Sequence, residues 1–550
     1  MKHSLHSRLF SWWRRGLACG LALVALAVAA AEHVQLTLLS TTDLHGHIYP
    51  LDYYTDLPAD LGVAKLATLI KEVRQQAPHT LLLDCGDTIQ GTPLVYYHNR
   101  KNNAPPDPMM LVMNALGYLC MTPGNHEYNF GLAVLEKARH EAAFPWLSAN
   151  TYRAGTDETA YQPYLVQEIA GVRVGILGLT TPTIPHWENP GNYAGLEFRP
   201  LVSEAKKWVA VLRGREHVDA VVIAVHGGVE EDLATGRRPP GEFDGENAAL
   251  AVAREVPGLD LVFLGHTHRD IPALVVNGVL LIQAGHWGDC LGRADLSFTR
   301  EAGGPWRLAA KAGRTVPVRA ETAADPAVLA LAAPYHRETQ AWLARPIGTC
   351  ARTIEDAPGQ LEDSALLDLV QRVQLEAGNA DVSLAATFNP HARIPAGPVT
   401  VRDIAGLYVY ENTLCVIEVT GAQLKAALEH SARYFRPYVK GRTPAELIDP
   451  AIPGYNFDVA EGVSYEIDLR QPVGDRIRHL TFQGAPLAPD RKLRLAINNY
   501  RYNGGGGYTM FQDAKVLARS GTEIRDLIID WVERHHVIPS EPTHNWRILP

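Results

Sequence analysis

Five short motifs occur in one order along the first half of the chain: Asp43-Leu44-His45, Gly86-Asp87, Gly124-Asn125-His126-Glu127, His226-Gly227-Gly228 and Gly265-His266-Thr267-His268. Each follows an apolar run. Runs rich in Val, Ile and Leu at 34–40, 80–84, 172–179, 220–225, 261–264 and 279–283 read as buried strands. Helical patterns at 63–76 and 132–140 lie between some of them. Alternation of this kind up to about residue 319 specifies a layered α/β domain. In such sheets ligands gather at the carboxyl ends of strands. Four of the motifs fall there, and Asn125 sits in a loop after the short 118–121 run. A single short match arises readily by chance. Five in order describe one site that holds two metal ions.

Asp43 and His45 lie two apart at a strand end. In an extended segment residues i and i+2 point the same way, so both are expected to reach one ion, and His266 and His268 repeat the spacing. Gly86 lets backbone approach closely, which makes Asp87 the candidate carboxylate shared by both ions. Asn125 and His226 remain for the second ion. A His/Asp/Asn set accepts Mn, Zn, Fe, Co or Mg. A lone histidine is more often a surface or hydrogen-bonded core residue, and here the companion motifs outweigh that reading. His47 and His286 are read as lying beside the ligands rather than among them. Glu127 is read as fixing its loop.

A length of 550 residues favours two domains. The segment 325–343 reads as one long connecting helix, with Pro326 in its first turn and Pro346 beyond its end. Helices at 366–377 and 421–435 and strands at 416–420, 462–468 and 493–497 then make a second α/β domain. At the other end, Lys2, Arg14 and Arg15 precede an apolar run at 17–28 and small residues up to Ala31, the pattern of a cleaved secretory signal. The run is short for a membrane span. The expected division is signal 1–31, metal domain 32–322, linker helix 323–346 and C-terminal domain 347–550. The mature chain is expected in a periplasm or secreted, without a stable membrane span.

The net charge of −9 comes with no basic stretch suited to a nucleic-acid polymer. Two divalent cations would nonetheless make the site itself positive and fit for phosphate. Cys85, Cys120, Cys290, Cys350 and Cys415 are odd in number, widely spaced and free of any CxxC. They read as buried small apolar residues, not as a disulfide framework or a zinc ribbon.

These motifs resemble those of the exported calcineurin-like metallophosphoesterases of the 5′-nucleotidase family, over nearly the whole mature chain. The resemblance implies a four-layer N-terminal domain, a β-sandwich flanked by helices, followed by a linker helix and a nucleotide-binding α/β domain. It implies that one ion takes Asp43, His45, Asp87 and His268, and the other Asp87, Asn125, His226 and His266. It implies that His126 faces the phosphate and assists the leaving oxygen. In 5′-nucleotidases the partner of this histidine is an Asp three residues on; here that position is Asn129, as in the 2′,3′-cyclic-nucleotide 2′-phosphodiesterase/3′-nucleotidase branch. An Asn orients an imidazole but lends it no charge. Leu51-Asp52-Tyr53-Tyr54 and Tyr455-Asn456-Phe457-Asp458-Val459 agree with that branch.

In the C-terminal domain the resemblance implies that Tyr410 and Tyr500 sandwich a nucleobase, with Asn412 bonding the base edge. Stacking accepts any base and is worth about 1–3 kcal/mol. Arg393 and Asn389 are further expected substrate contacts. The family's sugar-binding aspartate position holds Gly506, and its arginine position near 394–397 holds His391 with Arg393 nearby. The expected substrate is a small nucleotide: 2′,3′-cyclic nucleotides and nucleoside monophosphates. The rivals are a plain 5′-nucleotidase/UDP-sugar hydrolase, a thiosulfohydrolase and a nucleotide-binding protein without catalysis.

Overall fold

The structure, a computed structural model, describes residues 31–238, 243–355 and 359–549. The secretory-signal expectation lies outside these residues except for Ala31.

The first strand, Glu32–Thr41, sits inside a five-stranded sheet. It pairs in parallel with Thr80–Asp84, which pairs in parallel with Cys120–Met121. On its other side it pairs antiparallel with Cys290–Arg300, which is edged by Arg307–Pro317. A six-stranded sheet holds Val172–Thr180, Ala220–His226, Leu261–Leu264 and Val279–Ala284 as parallel neighbours, with antiparallel strands at both edges. Period-two alternation then builds the layers. Leu36, Leu38, Leu81 and Leu83 of one sheet meet Val174, Ile176, Val222 and Phe263 of the other in a shared core. The outward residues Leu177, Ile223, Val262 and Leu281 pack under helices Leu201–Gly214 and Ala249–Glu255. Leu39 and Leu82 face the helix Val63–Gln76. Helix, sheet, sheet, helix is thus the four-layer order expected. Each side chain buried in full contributes roughly 1.5–3 kcal/mol against entropy losses of similar total size.

The connecting helix is Pro326–Leu343, capped by the Asp325 side chain, which accepts from the Ala327 and Val328 amides. It packs on helices of the first domain, and Tyr53 Oη lies 2.8 Å from His336 Nδ1. The second domain is built on a mixed five-stranded sheet in the order Asp458–Glu461, Val382–Ala386, Lys492–Asn498, Thr413–Thr420 and Lys515–Glu523. Helix Ala365–Gly378 packs against it. One expectation is corrected here. The helix read at 421–435 is α-helical only over Gly421–Ser431 and tightens to a 3₁₀ turn at Ala432–Tyr434, a common way to end a helix. Among the described residues all five cysteines are free and buried. Among the described residues no helix is long and apolar enough to cross a membrane.

Candidate active site

The motifs lie at the carboxyl ends of the parallel strands, where the edges of the two sheets meet. Asp43 and His45 follow Glu32–Thr41, Asp87 follows Thr80–Asp84, and Asn125 follows Cys120–Met121. His226 ends Ala220–His226, and His266 and His268 follow Leu261–Leu264. Residues up to 225 apart in sequence thus fall into two groups. Ligand atoms of Asp43, His45 and His268 lie within 4.8 Å of one another, and so do those of Asp87, His226 and His266. Asp87 stands between them: its Oδ2 is 3.1 Å from His226 Nε2 and 3.9 Å from His45 Nε2. Asn125 Oδ1 is 3.0 Å from His226 Nε2.

The donor set fits divalent cations. His45 Nε2 and His268 Nε2 face each other at 3.1 Å, and buried carboxylates accompany both groups. Burial holds the His45 imidazole down to about 3, so the ring is neutral with a lone pair to offer. Burial would raise the Asp87 carboxyl, but His226, His126 and His45 hold it well below the usual carboxylate range. The outer nitrogens are also placed: His226 Nδ1 lies 2.8 Å from Cys85 O, and His45 Nδ1 lies 2.9 Å from Gln90 Oε1. Such contacts fix ring orientation and tautomer.

The paired ligands do not converge by strand alternation. Asp43, His45, Asp87, His266 and His268 all have positive φ, between 46° and 72°. The chain has left the strands at these points, and left-handed turns aim the side chains. Two of the loops bond to each other, since the Asp43 and His45 amides donate to Gly86 O and Asp87 O at 2.8 Å each. Non-glycine residues in this region cost about 1–3 kcal/mol each and persist where surroundings over-determine them. Two glycines make room. A Cβ on Gly124 would lie 2.2 Å from Asp87 Oδ1, and one on Gly86 would lie 2.6 Å from the Gly124 amide.

Glu127 does the job expected of it. Its wholly buried carboxylate accepts from the Asp87, Thr88, Ile89 and Gly124 amides at 2.6–3.2 Å. It ties the Asp87 loop to the Asn125 loop. His126, half-buried, donates its amide to Asp87 Oδ1 at 2.8 Å, and its Nδ1 is 2.6 Å from Asn129 Oδ1. Burial opposes its protonation, but Asp87 and Asn129 outweigh that and raise its pKa. His47 stacks on Trp287, and His286 stacks on His268 with ring centroids 4.8 Å apart in each case.

Tyr410 is exposed and Tyr500 half-buried. Phe388 braces Tyr410 edge-on at 5.3 Å. Gly505 lies under Tyr500, since a Cβ there would meet the ring at 2.4 Å. Asn412 Nδ2 is 3.5 Å from Tyr408 Oη. Asn389 and Arg393 are engaged elsewhere: the Asn389 amide donates to Gly406 O at 2.8 Å, and Arg393 pairs with Glu355 at 3.3 Å while largely exposed. Gly506 sits where a Cβ would strike Asn456 Oδ1 at 2.4 Å and Arg501 Nη1 at 2.6 Å. No side chain fits there without rearrangement.

Each tyrosine is wired to one ligand group through its neighbour. Glu411, beside Tyr410, accepts from Gln90 Nε2, and Gln90 in turn holds His45. Glu411 also pairs with fully buried Arg525 at 2.7 Å. Asn499, beside Tyr500, donates to Trp187 O at 2.8 Å, and the Trp187 ring lies 5.2 Å from His266. Gln90, Glu411 and Glu246, whose Oε1 is 3.0 Å from His266 Nε2, escaped assignment from sequence. Gln90 lies three residues past Asp87 and Glu411 between Tyr410 and Asn412, but nothing in their local spacing marks them.

A two-sheet sandwich with His, Asp and Asn gathered at its strand ends defines a class, the metal-dependent phosphoester hydrolases. Residues 36–270 match the family model for calcineurin-like phosphoesterases, and residues 346–513 match that for the 5′-nucleotidase C-terminal domain. The 2′,3′-cyclic-nucleotide 2′-phosphodiesterase/3′-nucleotidase of Haemophilus influenzae is 30% identical over 96% of this chain and 90% of its own length. The trifunctional nucleotide phosphoesterase YfkN of Bacillus subtilis is 29% identical over 95% of this chain, which spans 39% of that longer protein. A solved Staphylococcus aureus protein described as a 5′-nucleotidase superposes with a TM-score of 0.81 at 27% identity, covering 94% of this chain and 100% of that one. The chain belongs to the 5′-nucleotidase family of metallophosphoesterases.

Proposed function

We propose that the chain is an exported hydrolase with two divalent ions that opens 2′,3′-cyclic nucleotides and releases phosphate from the resulting monophosphates. The observation that supports this is the wiring of both tyrosine loops to the two candidate ligand groups, the arrangement expected if base and phosphate are held side by side. The names of relatives support the substrate class, and Asn129 in place of an aspartate supports the cyclic-nucleotide branch.

In this reading Asp43, His45 and His268 hold one cation, Asn125, His226 and His266 hold the other, and Asp87 serves both. Such cations supply Lewis-acid charge to phosphoryl oxygens and acidify water. The chain's own residues do the rest. Tyr410 and Tyr500 stack the base and Asn412 meets its edge. His126, with Nδ1 engaged by Asn129, keeps Nε2 to hand a proton to the departing sugar oxygen.

The test is phosphate release from adenosine 2′,3′-cyclic monophosphate and from the 3′- and 5′-monophosphates. It uses protein stripped of metal and then reloaded with Mn, Zn, Fe, Co or Mg in turn. Turnover of the cyclic and 3′ substrates only after reloading is expected. Turnover of the 5′-monophosphate alone would reassign the chain as a plain 5′-nucleotidase, and no turnover with any metal would leave a nucleotide-binding protein.

A further inference from the structure

Asn129 holds the His126 ring, but an amide presents an acceptor on one side and a donor on the other, so by itself it does not settle which it offers. Its far end settles it. Asn129 Nδ2 donates to Glu188 Oε1, and Glu188 Oε2 accepts from Asn192 Nδ2 at 2.8 Å. In its ionised form this carboxylate offers acceptors only. Asn129 must therefore turn its NH₂ toward Glu188 and its oxygen toward His126. With that oxygen facing it, His126 Nδ1 is the donor of the 2.6 Å bond. Were the amide reversed, its NH₂ would face Nδ1 and hold the ring in the other tautomer.

The carboxylate is built into place. Glu188 is 7% exposed, in the segment between the short helices Ile184–Trp187 and Pro190–Tyr193. Arg100 donates to Asn129 O at 3.3 Å from one side. From the second domain, Asn499 holds Trp187 O at 2.8 Å and Thr413 Oγ1 accepts from Asn189 Nδ2 at 3.5 Å. The residues flanking Glu188 are thus pinned by the residues flanking Tyr500 and Asn412.

We infer that Glu188 is a positioning residue for the reaction: acting through Asn129, it fixes the orientation and tautomer of the His126 ring, which leaves Nε2 free to face the leaving oxygen. The role of His126 in this relay rests on the function proposed above. The relay itself gives a specific kinetic signature. A nucleoside oxygen needs a proton to depart, whereas a nitrophenolate does not. In holoenzyme, Glu188→Ala should lower kcat on adenosine 3′-monophosphate about 10-fold with KM within about twofold, and lower kcat on p-nitrophenyl phosphate less than about twofold. Bound metal per chain should stay at the wild-type level. Adding Asn129→Asp in the same chain places an acceptor directly on His126 and should recover most of the loss. Equal losses on both substrates, loss of metal, or no recovery would overturn the relay. If wild-type enzyme cleaves p-nitrophenyl phosphate but no nucleotide, the proposed function fails on its own. The relay is then decided by the ¹⁵N shifts of the His126 ring, which should show protonated Nδ1 in wild type and a tautomer mixture in Glu188→Ala; identical shifts would refute it.

Discussion

The two halves of the cleft are built on opposite terms. Asp43 and His226 are wholly buried and Asp87 is 1% exposed, while Tyr410 keeps 43% of its surface open. The ligand side is tied by left-handed turns, by amides bonded loop to loop, and by a carboxylate that spans four amides. On the tyrosine side the loops are tied down, while the rings themselves meet Phe388 at Tyr410, and the Arg501 guanidinium at 5.3 Å and Gly505 at Tyr500. The difference is the one that the proposed roles require. Cations need several ligands converging at short distances, which only a rigid and desolvated pocket supplies. A base needs a flat face left free to receive it, so the platform cannot be packed in advance.

The sharpest way to break this contrast is to remove the carboxylate proposed to serve both cations. Asp87→Ala should empty both metal positions and lower turnover by at least about 1,000-fold, read by metal analysis and phosphate release together. A variant that kept one ion per chain would show that Asp87 serves only one group. His126→Ala comes next: about 100-fold in kcat with metal content unchanged, so the same paired readout separates holding metal from moving protons. On the open side, Tyr410→Ala should raise KM for nucleotides about 10-fold, in line with stacking of about 1–3 kcal/mol. It should leave hydrolysis of bis-p-nitrophenyl phosphate alone. If that base-free substrate suffered equally, the tyrosine would be supporting the fold and not the base.

The smallest effect concerns the seam between the halves. Burial and then the neighbouring Glu411 push the Glu523 carboxyl up to about 7, against the pull of Arg525 and Arg100. Its unfolded value is about 4.3. Between those two values the folded chain binds more protons than the unfolded one, so this group makes stability fall as pH rises through that window. Glu523→Gln should therefore remove about 1–2 kcal/mol of the stability difference between pH 5 and pH 8. Thermal unfolding at the two pH values checks it, and an unchanged difference would mean that the Arg100 pair already neutralises the site.

Much of the architecture could be read from residue order. The strand Leu261–Leu264 and the helix Val63–Gln76 lie where the apolar patterns put them, because buried strands and amphipathic helices must follow their own periods. The ligands were legible for a related reason: few residue types bind cations, and they stood at strand ends. Their aim was not legible. Spacing of two suggested extended backbone at Asp43–His45, and the turns that replace it depend on where Gly86 and Gly124 let loops approach. Asn389 and Arg393 meet Gly406 O and Glu355, partners set by loop packing.

The order of motifs along the chain was enough to determine the class of fold and to single out a candidate ligand set, since metal ligation tolerates so few side chains that their presence is informative. Only the folded molecule decided that Gln90 and Glu411 join His45 to Tyr410, and that Glu188 stands behind Asn129. Glutamine and glutamate occur on any surface, and a hydrogen bond acts over about 3 Å. Which polar pairs come that close is settled by packing within the first domain for Glu188 and Asn129, and by how the two domains dock for Gln90 and Glu411.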